Sequence, residues 1–170
     1  AGAWVAGGQG PPRVTLRAVA IGGSFGTTPL EVPDDRGLSR ESFRGDRLAV
    51  VLGHRPDIIQ TNVSVSSRGT VRGIHFADLP PSPAKYVTTL SGSFIDFVVA
   101  IRVGSPTFGH WDSVLLAALS RRATYRAKCI GHAIRPLDDR SPGRYMSSPT
   151  YNHLPDQPTH PPTASPALPR

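Results

Sequence analysis

The stretch from Gln60 to Phe76, QTNVSVSSRGTVRGIHF, decides how the chain folds. Its valines, Val63, Val65 and Val71, alternate with polar residues, and side chains alternate between the two faces of a strand. This period of two predicts half-buried strands with the valines on one side. The segment Ser67–Gly69 interrupts the pattern as a turn, so we expect a pair of strands, one on each side of it.

The second of these strands carries the chemically useful side chains. Arg72 and His75 are three residues apart and would point to opposite faces of a regular strand. Gly73 lies between them and permits a bulge at little cost, which would bring the cation and the imidazole into one cavity. Gln60 and Asn62 add polar amides from the preceding strand. The stretch is therefore the candidate site.

The rest of the chain also favours strands. Lys85–Leu90 and Ser93–Ile101 are strand-like runs joined at Ser91-Gly92, which is typical of a hairpin. The second run contains FIDFVVAI, whose nearly continuous apolar character predicts a central core strand. Residues 44–57 predict a short helix or a loop. Because 17 glycines and 18 prolines favour turns, the many short strands indicate a sandwich or a barrel.

Length and composition limit the class of protein. The chain has 170 residues, a length that suits one domain, and its net charge is +7. Its basic residues lack the interleaved aromatics and the helical basic face typical of nucleic-acid binding, so we expect no nucleic-acid partner. Its apolar runs are far shorter than the roughly 20 residues of a membrane span. The segment AGAWVAGGQG lacks the features of a signal peptide, and we expect a soluble cytoplasmic protein that binds no membrane.

His75 and Lys85 favour acid–base chemistry over metal binding. A cupin metal site uses several histidines and a glutamate, but here His75 stands alone and Lys85 lies ten residues further on. We therefore expect no metal. An imidazole can remove a proton α to a ketone if a cation such as Lys85 or Arg72 faces the developing enolate. A tyrosine can return the proton. A single histidine on a strand is also common in cores, so the residues alone leave both roles open.

The stretch also resembles a known signature. It fits Q-x-N-x-S-x-S-x-R-G-x-x-R-G-x-H-[FY], which is similar to that of the dTDP-4-dehydrorhamnose 3,5-epimerase family, whose members make deoxysugars for antibiotics. The resemblance covers roughly residues 14–152. It rests further on Leu16–Gly37 with its D-x-R-G turn, Ala84–Val87, Ile101–Trp111 (IRVGSPTFGHW), Gly131–Ala133, and the tyrosines Tyr145 and Tyr151.

This resemblance implies a fold and a quaternary structure. The implied fold is all-β, a cupin-type jelly-roll β-barrel with few short helices, over residues 14–152. Residues 1–13 would form a flexible N-terminal extension and residues 153–170 a Pro-rich irregular tail. The resemblance also implies a homodimer with exchanged N-terminal strands, and no cofactor.

The resemblance further implies an activity, which is epimerisation of a dTDP-4-keto-6-deoxyhexose at C3, C5 or both. The implied catalytic residues are His75 as general base, Tyr145 as general acid, and Lys85 in the sugar site. The implied substrate-binding residues are Arg36, Glu41, Gln60, Asn62, Arg72, His132 and Tyr151.

The last third of the chain departs from the family pattern. Val99–Arg102 lacks an aspartate that the family has there, and Arg126–Cys129 replaces an apolar and acidic run. The tail also lacks the aspartate that pairs with the base histidine in the family. These departures keep a second hypothesis open, in which the chain binds a nucleotide sugar but turns it over weakly or not at all. A locally shifted reading frame would produce similar blocks of substitution.

Overall fold

Strands predominate in the computed structural model, which describes residues 4–5, 14–29, 31–76 and 83–148. This described part of the chain contains no helix with the length and apolarity of a membrane crossing. The elements in chain order are β1 (Trp4–Val5), β2 (Val14–Ala18), β3 (Ser24–Pro29), β4 (Glu31–Asp34), β5 (Gly37–Arg40), α1 (Gly45–Leu52), β6 (Gln60–Ser66), β7 (Arg72–His75), β8 (Lys85–Thr89), β9 (Ser93–Ala100), β10 (Trp111–Ala117), β11 (Ala123–Arg126), β12 (Ile130–Pro136) and β13 (Ser141–Ser147).

Two antiparallel sheets form the barrel. The larger sheet has the strand order β1-β2-β3-β11-β8-β13-β6, and the smaller one has the order β10-β9-β12-β7. Strands β4 and β5 form a separate two-stranded ribbon. Strand β9 lies between β10 and β12 and is almost wholly buried, which confirms the predicted central core strand. The predicted all-β jelly roll with few short helices is likewise confirmed.

Two predicted strand pairings are wrong. β6 pairs with β13 and β7 pairs with β12, so the two strands around the Ser67–Gly69 turn lie in different sheets. The same holds across Ser91-Gly92, because β8 pairs with β11 and β13 whereas β9 pairs with β10 and β12. In a jelly roll the chain crosses between sheets so that each can cover the other's apolar face. A local turn signal does not distinguish such a crossing from a hairpin.

The alternation in β6 is as predicted, but its polar side faces the interior. Val63 and Val65 are 57% and 50% exposed, whereas Ser66 is buried and Ser64 lines a cavity inside the barrel. Half-buried strands usually bury their apolar side. The reversal occurs here because this part of the interior is a polar cavity.

Apolar side chains support the strands of the site from both sides. Between the sheets, Phe94 and Leu116 pack with Val87 and Ile134. On the outer face of the larger sheet, α1 inserts Leu48 into a cluster with Tyr86, Tyr125 and Met146. The helix ends at Gly53, whose positive φ of 74° is easily adopted by glycine, and whose N–H donates to the carbonyl of Ala49.

Candidate active site

A cavity of about 210 Å³ opens between the two sheets. It brings together five of the residues that the sequence predicted for the site, from four different strands. Strand β7 supplies Arg72 and His75, and β8, β12 and β13 supply one residue each. The full lining is Ser64, Arg72, His75, Lys85, Val87, His132, Ile134, Gly143 and Tyr145.

The two walls of the cavity carry different groups. On the smaller sheet, His75 and His132 are direct register partners, and their ring centroids are 5.3 Å apart at an interplanar angle of 57°. On the larger sheet, the Nζ of Lys85 lies 5.9 Å from the ring centroid of Tyr145. Imidazoles therefore face a phenol and an ammonium across the cavity.

Gly73 allows both residues of the R-G-x-H motif to reach this cavity. The register between β7 and β12 shifts between His132 and Ile134, which confirms the predicted irregularity at this strand. Gly73 has a φ of 135°, and a Cβ there would lie 2.6 Å from both the Cβ of Ala133 and the carbonyl oxygen of His132. Only glycine fits this close approach.

Arg72 connects the two sheets at the edge of the cavity. Its Nε donates to the Oγ of Ser66, the last residue of β6, at 2.6 Å. Its Nη2 donates to the carbonyl oxygen of Val65 at 3.5 Å, so the guanidinium is fixed beside His75 at the cavity wall.

Gln60 and Asn62 lie on β6, next to β13, the strand that carries Tyr145. Asn62 is the register partner of Tyr145, and its Oδ1 accepts a hydrogen bond of 3.1 Å from the Nε2 of Gln60. The Nδ2 of Asn62 is buried and has no hydrogen-bond partner among the described residues. A buried donor without a partner is costly, so this amide is suited to a ligand oxygen.

The structure does not bring Arg36 and Glu41 to this cavity. Arg36 lies at the turn of the β4–β5 ribbon, is 89% exposed and pairs with Asp34 at 2.7 Å. Glu41 follows the ribbon and accepts hydrogen bonds from Arg44 at 2.9 and 3.0 Å. Tyr151 lies outside the described residues.

Two charged residues behind the cavity were missed by sequence reasoning. Asp96 and Arg126 are 0% and 2% exposed, and the Nε of Arg126 lies 3.9 Å from an Oδ of Asp96. The other Oδ of Asp96 is 3.5 Å from the Nδ1 of His132. The available signal is the acid within FIDFVVAI, because a buried aspartate needs a partner. The sequence does not indicate which cation that partner is.

These contacts set the charge of His132. Burial lowers the pKa of His132 well below 6.5, and the cations Arg126 and Lys85 lower it further. Burial raises the pKa of Asp96, and Arg126 acts against that rise. His132 is therefore a neutral imidazole at neutral pH.

The described residues contain no group of three or more histidine, cysteine or acidic side chains that could hold a metal ion. His153, Asp156 and His160 in the tail, whose proline-broken spacing fits no rigid set of metal ligands, lie outside the described residues. What the cavity presents instead is Arg72, Lys85 and neutral donors, a set suited to an anion or to an oxygen on which negative charge develops.

Comparison with known proteins identifies the family. The sequence model of the dTDP-4-dehydrorhamnose 3,5-epimerase family matches residues 18–161 of this chain. A dTDP-4-dehydrorhamnose 3,5-epimerase of Mycolicibacterium smegmatis is 48% identical over 138 residues, which are 81% of this chain and 69% of that protein. The crystal structure of a 4-keto-6-deoxy sugar epimerase from the novobiocin gene cluster of Streptomyces spheroides superposes with a TM-score of 0.83 and 41% identity, covering 91% of this chain and 82% of that one.

A third similar protein carries a ligand. It is a 3'-monoepimerase of Streptomyces bikiniensis in complex with dTDP-quinovose, with a TM-score of 0.79 and 34% identity, covering 89% of this chain and 81% of that one. The chain therefore belongs to the dTDP-4-dehydrorhamnose 3,5-epimerase family and is an enzyme of the isomerase class.

Proposed function

We propose that the chain epimerises a dTDP-4-keto-6-deoxyhexose at C3, at C5 or at both, without a cofactor. The observation that carries this proposal is the cavity in which His75, Lys85 and Tyr145 meet. The relatives of the chain include a 3,5-epimerase and a 3'-monoepimerase, which supports epimerisation as the reaction class for either choice of carbon.

In the proposed first step, His75 removes the proton from the carbon next to the C4 ketone. The electrons of the C–H bond move onto the C4 oxygen and form an enolate. Lys85 and Arg72 supply positive charge at the cavity wall, which lowers the energy of this anion in a partly buried site. The neighbouring neutral His132 adds no charge that would oppose protonation of His75.

In the proposed second step, Tyr145 donates its phenolic proton to the opposite face of the same carbon. Inversion requires that the two protons travel on opposite sides of the sugar ring. The placement of His75 on the smaller sheet and Tyr145 on the larger one supports this division, because a ring held between the sheets has one residue on each side.

The proposed nucleotide site needs a second copy of the chain. Arg36 lies at the turn of the β4–β5 ribbon and Glu41 directly follows it; the ribbon pairs with neither large sheet and exposes Val32 and Leu38. We propose a homodimer with exchanged N-terminal segments, in which the ribbon of one protomer reaches the cavity of its partner. Arg36 and Glu41 would then hold the nucleotide diphosphate together with Gln60, Asn62 and Arg72, and Tyr151 would flank the sugar.

The experiment that tests the function is solvent deuterium wash-in. The dTDP-4-keto-6-deoxyhexose is incubated with the protein in D₂O, and NMR follows loss of the proton signals at C3 and C5. We expect enzyme-dependent exchange at one or both carbons, and which of them exchanges identifies the carbon that is inverted. Tight binding of dTDP without exchange at either carbon would contradict the proposed activity.

The Arg36→Ala protein is expected to lose most of the thermal stabilisation by dTDP. A ligand at 100 times its Kd stabilises the folded state by about 2.7 kcal/mol. For a domain of this size each kcal/mol raises Tm by roughly 2–4 °C. Arg55→Ala, at another exposed arginine, is the control and should keep the full shift. Equal shifts in both variants would exclude Arg36 from the nucleotide site.

Mixed dimers of Arg36→Ala and His75→Asn chains test whether Arg36 acts across the interface. If the ribbon serves the partner's cavity, a mixed dimer contains one site with both residues intact, and exchange activity at subsaturating substrate should reappear on mixing. No recovery, in dimers shown to be mixed, would contradict the exchange of N-terminal segments.

A further inference from the structure

A buried trio of charged and polar side chains lies directly behind the cavity. Asp96 on β9 stands between Arg126 on β11 and His132 on β12, at 3.9 and 3.5 Å. Arg126 is also the register partner of Lys85, so its side chain is on the inner face of the larger sheet next to a cavity residue. The trio therefore joins the two sheets beneath the site.

Arg126 keeps its charge in this position. Burial lowers the pKa of Arg126, and Asp96 acts against that change. A guanidinium nevertheless does not release its proton in proteins, so it needs an anion nearby. Among the described residues Asp96 is the one carboxylate within ion-pair distance of it. The carboxylate of Asp96 is therefore ionised, as counter-ion to Arg126.

An ionised Asp96 fixes the orientation of His132. The Nδ1 of His132 lies 3.5 Å from the carboxylate, whose negative charge attracts a proton and which has no hydrogen of its own, so the proton of the neutral imidazole belongs on Nδ1. The lone pair then lies on Nε2, the nitrogen left for the cavity. Without Arg126, a buried carboxylate beside an imidazole would instead bind a proton, on one group or the other.

We propose that Arg126 is a positioning residue of the active site, a permanent cation that takes the place of a proton on the Asp96–His132 pair. It thereby holds His132 neutral and in one tautomer over the pH range in which the enzyme works. The effect on turnover rests on the proposed epimerase function, whereas the effect on His132 does not.

The charge on this pair matters to the site because the rings of His132 and His75 lie 5.3 Å apart. Asp96 is the one acid in the trio, and the neighbouring cations oppose protonation of His132. If the pair took up a proton from solvent, the charge next to His75 would change with pH. The groups that face His132 are Asp96 on β9, Arg126 on β11, Lys85 on β8, Arg72 and His75 on β7, and Tyr145 on β13.

NMR of the full-length protein with ¹⁵N-labelled histidine and ¹³C-labelled aspartate tests the proposal. His132→Gln assigns the signal of His132. In the unmodified protein His132 should remain a neutral Nδ1–H imidazole between about pH 6 and pH 8. In Arg126→Met the pair should take up a proton in this range, visible as an imidazolium at His132 or as a protonated carboxyl at Asp96. Arg126→Lys should restore the original pattern, and Arg122→Met, at an exposed arginine of the same segment, should not alter it.

Three outcomes would overturn the proposal: a folded Arg126→Met protein that titrates like the unmodified one, an Nε2–H tautomer in the unmodified protein, or an Arg126→Lys protein that titrates like Arg126→Met. If Arg126→Met does not fold, the Asp96→Leu/Arg126→Met protein replaces it, because replacing both members of a buried pair with apolar residues is often tolerated. His132 should then populate both tautomers, and a retained Nδ1–H form would overturn the proposal.

The pH dependence of deuterium exchange separates this proposal from the epimerase function. Arg126→Met should show a titration between about pH 6 and pH 8 that Arg126→Lys lacks. Absence of exchange in the unmodified protein, with His132 behaving as expected, would contradict the epimerase function alone. Exchange in the unmodified protein, with no effect of Arg126→Met on His132, would contradict the role of Arg126 alone.

Discussion

The His75→Asn protein is expected to lose deuterium exchange at both C3 and C5 while binding dTDP nearly as well as the unmodified protein. Loss of a general base typically lowers a rate by about 10²–10⁴-fold, which corresponds to roughly 3–5 kcal/mol of transition-state stabilisation. Binding should persist because the proposed diphosphate ligands, Arg36 and Arg72 among them, are untouched. Asparagine preserves polarity and approximate size, so the register of His75 with His132 should survive.

Tyr145→Phe is the matched comparison for this variant. Proton removal does not require the phenol, so exchange by His75 should continue while net inversion of the sugar falls. This split between exchange and inversion would assign deprotonation to His75 and reprotonation to Tyr145. If His75→Asn exchanged deuterium at the unmodified rate, another residue would be the base. If Tyr145→Phe inverted the sugar at the unmodified rate, the acid would be another group.

The parts of the site that lie close together in sequence could be predicted from it. Arg72, Gly73 and His75 fall within four residues, and the demand for a bulge follows from the period of two along a strand. The prediction of half-buried strands followed from the same period of two. Lys85 was a candidate cation from the residues alone, His132 and Tyr145 came from the family resemblance, and the structure places all three in the cavity of His75.

The pairing of strands could not be predicted, because it depends on contacts between distant segments. Ser91-Gly92 has the composition of a hairpin turn, yet β8 and β9 belong to different sheets. What decides between hairpin and crossing is whether Phe94 covers Val87 from the opposite sheet, as it does here. Short-range turn propensity contains no information about that contact.

Arg126 departs from the family pattern in the sequence but has an ion-pair partner in the fold. In the sequence it is a cation in the run Arg126–Cys129, where the family has apolar and acidic residues. Such a replacement suggests damage to the barrel. In the structure it lies opposite Asp96, thirty residues away in the chain, and both residues are buried. The acid and the cation are each unfavourable alone in the interior, and each becomes tolerable through the other.

Asp96→Leu is expected to be the most destabilising single substitution of the trio, lowering the free energy of unfolding by about 3–5 kcal/mol in urea denaturation. It leaves the guanidinium of Arg126 buried without an anion, and that group does not neutralise itself by losing a proton. Arg126→Met should cost less, because the Asp96 carboxyl that remains can take up a proton. Leu48→Ala, which leaves a cavity in the core under α1 on the outer face of the larger sheet, should be independent of both.

The two single variants should also differ in pH dependence. Without Arg126, the folded-state pKa of Asp96 lies further above its unfolded value of about 3.9, because burial then acts unopposed by that cation. The stability of Arg126→Met should therefore be highest at low pH and decrease as the pH rises through the folded-state pKa. Asp96→Leu lacks this group and should lack that decrease.

The double variant Asp96→Leu/Arg126→Met decides whether the two residues act as a pair. Since it removes both charges and leaves no buried ion, its stability should return close to that of the unmodified protein. The coupling free energy between the two sites should then be nearly as large as the cost of the single changes. If the two costs simply added, Asp96 and Arg126 would be independent, and the ion pair would contribute nothing to the folded state. Recovery of stability together with loss of the single His132 tautomer would show two things. The interior tolerates an apolar pair at these positions, and the charged pair of Asp96 and Arg126 is needed to orient His132 in the site.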